Sequence, residues 1–151
     1  MAEYVLTERF SIIGTNDPDS YATATITSDV FDMKKWRQVM VIAMCGTYAT
    51  AASVVGTLQA SATSTGAWTT LLGKTFTMTE VLGNTNGQAI LNLSAAEVMS
   101  TGKRWARLST VLSGATSVDF AAVVLADRGR YSEAFTTIAF GDLATVDEIV
   151  A

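Results

Sequence analysis

The sequence predicts an all-β fold: an antiparallel β-sandwich or jelly roll of about seven or eight strands, with one short helical turn and a C-terminal arm. Three observations predict it. Runs of alternating apolar and polar residues, rich in Thr and Val, recur along the chain. Glycine-containing turn signals break these runs at short intervals. No long helical pattern separates them, so the βαβ punctuation of a parallel sheet is missing. At 151 residues the chain suits one domain with a core of its own.

The elements follow in order. "TERFSII" (7–13) is a first strand, and "GTNDPDS" (14–20) reads as a turn because Pro18 fixes a backbone angle between two Asp residues. "YATATITSDV" (21–30) alternates, with Tyr21, Thr23, Thr25 and Thr27 on one face and Ala22, Ala24 and Ile26 on the other. "FDMKKW" is a charged connection into a buried strand at 37–48. Further strands are expected at 53–62, 67–79, 87–93, 103–113 and 117–126, separated by "TSTG", "EVLGNTNG" and "SGATS". Within "SAAEVM", Ser94 and Glu97 stand at capping-box spacing and mark one helical turn; Thr145 and Glu148 repeat that spacing in "TVDEIV". The rhythm lapses after Tyr131, which divides the chain into a sandwich at 1–131 and a segment at 132–151. That segment reads either as an arm packing on a neighbour or as an edge strand and terminal helix on its own domain.

Composition narrows the function. Hydrophobic residues make up 49% and charged residues 16%, against about a quarter charged in soluble domains, so extra area is expected to be buried against copies or a partner. A net charge of −4 opposes nucleic-acid binding. "MAEYVLTERF" lacks the basic start and apolar stretch of a signal peptide. Residues 38–73 carry no charge, but their scattered Thr, Ser, Tyr and Gln divide them into two strands rather than a membrane span.

No histidine occurs, which removes the commonest general base and metal ligand, and no serine sits in a nucleophile elbow. "LLGKTF" echoes the end of a phosphate loop, but Trp68 stands where the loop's first glycine belongs. Asn16, Asp17, Asp19 and Ser20 offer oxygens to a hard cation, yet are also ordinary turn residues. Lone Cys45 suits a small core position. Neither an enzyme nor a cofactor is expected. Trp36, Trp68 and Trp105 either seal the core at strand ends or offer rings for sugar stacking; packing is the preferred reading. Lys34, Lys35 and Arg37 with Lys103, Arg104 and Arg107 form either a basic patch for an acidic partner or a dispersed solvated face.

Two segments carry a resemblance. "ASATSTGAWTTLLGKTFT" (60–77) sets Trp-Thr and a Thr-rich strand after a glycine turn. "GKRWARLSTVLSGATSVDFAAVVLADRGRY" (102–131) joins a basic-aromatic-basic strand, a Gly-Ala-Thr hairpin, an apolar strand and a D-x-x-R-Y close. Over about a third of the chain these resemble small virion proteins of tailed bacteriophages, of the head decoration (cement) type. Arg128 within the close, and the tail beyond it, depart from that pattern. The resemblance implies a β-sandwich made in the host cytoplasm that clips onto the capsid surface. It further implies the major capsid protein as partner, a homo-oligomer with a trimer favoured, and neither nucleic acid nor membrane as partner. A tail or head–tail connector component and a carbohydrate-binding sandwich are the alternatives. The expected assembly residues are Arg104, Arg107, Phe120, Asp127, Arg128, Arg130, Tyr131, Phe135 and Phe140. The continuous apolar run at 120–126 predicts a strand covered on both faces, the second cover coming from the tail or a neighbouring subunit. The charged stop after it leaves Arg128 and Arg130 either to reach acidic partners or to pair with Asp127.

Overall fold

The computed structural model describes residues 10–48, 52–79, 86–114 and 117–129. Nine strands and one helix run in the order β1 (Phe10–Tyr21), β2 (Ala24–Thr27), β3 (Phe31–Asp32), β4 (Trp36–Tyr48), β5 (Ser53–Ser61), β6 (Thr69–Thr79), β7 (Gly87–Ser94), α1 (Ala95–Ser100), β8 (Trp105–Ser113) and β9 (Val118–Gly129) among these residues. They form a four-stranded sheet β1-β9-β4-β7 and a second sheet β2-β8-β5-β6, in which β3 also pairs with β8. Every pairing is antiparallel. With β2 and β3 taken as two pieces of one strand, the first strand pairs with the last, the second with the second last, and so inward to the β5–β6 hairpin. That nesting is a long hairpin rolled into two layers, the jelly roll.

The core lies between the sheets. From the first sheet come Ile13, Val39, Val41, Ala43, Leu93, Phe120, Ala122, Val124 and Ala126; from the second come Val54, Leu58, Phe76, Met78, Leu108 and Leu112. Period-two alternation decides which residues these are, since one phase of each strand faces the opposing sheet. Gly56 is a packing requirement. It sits opposite Phe76, and a Cβ there would lie 2.2 Å from the phenyl ring. Cys45 is a buried core residue on β4. The uncharged stretch 38–73 is divided between β4, β5 and the start of β6, and no helix among the described residues is long and apolar enough to cross a membrane.

Two details differ from expectation. The segment 14–20 is not a turn: β1 runs through it and absorbs it in register shifts between Ile12 and Gly14 and between Asn16 and Asp19. Pro18 is tolerated because β1 is an edge strand whose outer side needs no ladder donor. The strand expected at 21–30 is broken, with β2 ending at Thr27. Ser28 then interposes its own hydroxyl, which accepts the Leu108 amide at 3.0 Å in place of a backbone carbonyl. The register resumes shifted at Phe31–Asp32. The helical turn is as predicted: the Ser94 hydroxyl accepts the Glu97 amide, and the Glu97 carboxylate accepts the Ser94 amide at 2.8 Å.

Candidate assembly surface

The outward face of the β1-β9-β4-β7 sheet is apolar. Val41, Ala43, Ala122 and Val124 point inward and are essentially inaccessible, so their neighbours on each strand point away from the core. Those neighbours line up in rows across the sheet: Ile12, Leu125 and Met40; then Val123, Ile42 and Ile90; then Ala121 and Met44. Ile90 is 60% exposed and Met44 is 44% exposed. Gln38, Gln88, Asn92 and Asp119 form a polar rim. At one end the face sinks into an open groove of about 440 Å³ between Phe10, Met40, Leu125, Asn92 and Lys74. There Lys74 donates to the Asn92 carbonyl at 2.6 Å and pairs with Glu97 at 2.8 Å. The Lys74 hydrogen bond holds the Glu97 carboxyl down at about 2, helped by the Ser94 amide. The "LLGKTF" segment is thus strand β6, with its lysine engaged in an ion pair. Gly73 takes a left-handed backbone there (φ +72), and Leu72 beside it is 99% exposed.

A second feature gathers where β3 and β8 begin to pair. Arg104 grips buried Asp32 with two hydrogen bonds, its Nε at 2.8 Å from Oδ1 and its terminal nitrogen on Oδ2. Asp32 also accepts the Lys34 amide at 2.9 Å. Burial pushes the Asp32 carboxyl up, but Arg104 and the Lys34 amide outweigh it and leave the group below its ordinary value. Arg104 lies over the Trp105 ring, 5.0 Å from its centroid. Arg107 stacks on Trp68 at 4.4 Å while its Nε donates to Gln59 at 3.0 Å. Lys34 and Lys35 are exposed in the adjoining turn. The basic residues of 34–37 and 103–107 are therefore brought together at one end of the sandwich.

The expected site residues divide accordingly. Arg104 and Arg107 sit at this basic end, both on tryptophan rings. Phe120 is 2% exposed and belongs to the core, because its phase along β9 faces inward. Asp127 lies near the end of β9, opposite Phe10 and Gln38. The Arg128 side chain, Arg130, Tyr131, Phe135 and Phe140 lie outside the described residues, as do the segment 132–151, its second capping box and any pairing of Asp127 with those arginines. Trp36 is core at 3% exposure, whereas Trp68 and Trp105 are half-buried beneath arginines. In the "NDPDS" segment Asn16 is buried with its Oδ1 unpartnered, the Asp17 carboxylate accepts the Thr15 hydroxyl, and Asp19 accepts the Ser20 amide. Among the described residues no group of three or more His, Cys, Asp or Glu is placed to hold a metal ion.

Met40, Ile42, Met44 and Ile90 were missed as surface residues. The signal was present in "VMVIAM", where both phases of the strand are apolar, as they are in 120–126. Along β9 the expected double covering resolves into a fully buried inner phase and a half-buried outer phase of Ala121, Val123 and Leu125.

No protein-family model matches the sequence, and no curated protein matches it. Among solved structures, the chain is similar to one in the cryo-EM structure of broad bean stain virus, with a TM-score of 0.45 and 9% identity over 85% of this chain and 88% of that one. It is also similar to a chain in the structure of infectious bursal disease virus, Gt strain, with a TM-score of 0.42 and 14% identity over 82% of this chain and 33% of that one.

Proposed function

We propose that this protein is a structural component of a virus particle, specifically a capsid decoration (cement) protein on the head surface of a tailed bacteriophage. The observation that carries the reading is the apolar outer face of the β1-β9-β4-β7 sheet, several residues across and rimmed by polar side chains. Such a face has no use in a lone domain and is the anatomy of a protein interface. Covering it stabilises by ~25 cal/mol per Å² before ordering costs, and few ions must be desolvated. A protein that cements a shell works by bound area: each copy spans neighbouring major capsid subunits, and separating them must break its contacts. The jelly roll suits this role and is also the frame of lectins, so the assignment rests on the surface and not on the fold. The phage-like segments 60–77 and 102–131 contribute Trp68, Arg104 and Arg107 at the basic end. The protein acts as a homo-oligomer, a trimer being favoured, and catalyses no reaction.

The test is particle composition. Purified virions should contain this chain in hundreds of copies; a handful would assign it to the connector or tail, and none would refute the virion role. Ile90→Asp, on the exposed face, should abolish incorporation while leaving the melting temperature of the isolated protein within a few degrees. Normal incorporation of that variant would exclude this face as the docking surface.

A further inference from the structure

With the two internal ion pairs set aside, Asp32 with Arg104 and Glu97 with Lys74, the remaining charges among the described residues sort by position. Lys34, Lys35, Arg37, Lys103 and Arg107 all lie where β3 hands over to β4 and where β8 begins. Asp17, Asp19 and Asp119 lie where β1 ends and β9 begins, with Asp29 midway beside Gly14. Asp127 is the acidic residue that stays near the basic end. The two groups are well separated. The Cβ of Asp119 lies against Gly46, nine positions along β4 from Arg37, or roughly 30 Å at ~3.3 Å per residue. That exceeds the ~8 Å screening length of physiological salt several times over, so neither end neutralises the other within one molecule.

Arg107 sharpens the asymmetry. Its guanidinium is oriented by the Trp68 ring and by Gln59, yet no carboxylate pairs with it among the described residues. A charge held in place in this way gives up little further freedom when a carboxylate arrives, and Trp and Arg are among the residues enriched at interface hot spots. The opposite end offers the complement. A shallow groove floored by Met44, Gly46 and Ala121 runs between Asp19 and Asp119, giving an apolar seat for an indole with a carboxylate on either side.

We propose that copies of this chain associate head to tail, the Lys34, Lys35 and Trp68–Arg107 end of one copy seating on the Asp17, Asp19 and Asp119 edge of the next. This rests on the assembly reading above and names the contact within its oligomer. A contact between two different patches closes into a ring when its rotation allows, and a trimer is one such ring. A nucleic acid could also meet the basic end, but the net charge of −4 repels a polyanion while leaving the two complementary ends of like copies free to attract.

Sedimentation of the purified full chain tests the contact. In ~0.01 M salt, where screening reaches ~30 Å, association should appear with rising concentration, and ~1 M salt should dissolve it. K34E/K35E changes two exposed turn residues, and D19K/D119K changes two exposed edge residues; each should weaken self-association by about tenfold or more. Mixing these two variants offers an intact basic end to an intact acidic edge and a reversed end to a reversed edge, so the mixture should regain the association that each variant alone has lost. Carrying all four reversals on one chain should restore full association. The proposal is overturned if the wild type stays single in low salt, if the reversals leave association unchanged, or if the basic end instead retains nucleic acid while copies stay apart. None of these results bears on particle composition, so the virion reading stands or falls by its own test.

Discussion

Thr110 is fully buried on β8, and its hydroxyl has no hydrogen-bond partner. An unpaired buried hydroxyl costs desolvation that nothing returns. Thr110→Val keeps the shape and removes that cost, so it should raise stability by about 1 kcal/mol in urea denaturation. A loss instead would show that the hydroxyl is satisfied in solution. Gly56 makes the opposite case. A methyl group there must displace the Phe76 ring, so Gly56→Ala should destabilise by about 1–3 kcal/mol, with partial rescue by Phe76→Leu in a double-mutant cycle. Neither position announces itself in the sequence. Thr110 continues an alternating strand, and Gly56 looks like any strand glycine until the opposing residue is known, because cross-strand partners are set by register rather than by neighbours in the chain.

Among the elements, those specified locally were the legible ones. The capping box at Ser94 and Glu97 is complete in four residues, and the strands at 37–48, 53–62 and 87–93 recur within a residue or so of their expected limits. The segment 14–20 misled because Asp, Asn and Pro favour a turn for backbone reasons, while an edge position on a sheet forgives them for reasons visible only in the assembled topology. The same helix carries a pH prediction. Glu97 and Asp32 both ionise below their ordinary values in the folded protein. Such groups stabilise the fold above the ordinary carboxylate range and lose that contribution as the pH falls through their folded values. Stability should therefore decline from about pH 4.5 towards pH 2, where Glu97 is finally protonated. Glu97→Gln should flatten part of that decline in a pH series of urea denaturations. An unchanged slope would mean that the Lys74 pair does not hold in solution.

At the scale of the whole molecule, composition announced that apolar area would remain to be covered, and doubly apolar strand phases showed which strands bear it. Which residues share a face depended on the pairing of β4 with both β7 and β9, since Ile90, Ile42 and Val123 become one row only there. The basic cluster behaves likewise: residues some seventy positions apart meet because Asp32 pairs with Trp105, a contact no local pattern encodes. The nested pairing also bears on how the chain is made. Among the described residues β1 pairs with β9 alone, with Phe10 opposite Asp127, so the first sheet stays open until nearly all of the described chain has left the ribosome. β5 and β6, in contrast, form a local hairpin able to pair early. Synthesis therefore passes through a stage in which β4 is complete while its β9 partner is still missing, leaving one of the most apolar strands bordered by an unpaired edge. Slow translation ahead of residue 118 should raise the yield lost to aggregation, and faster synonymous codons over the same stretch should lower it.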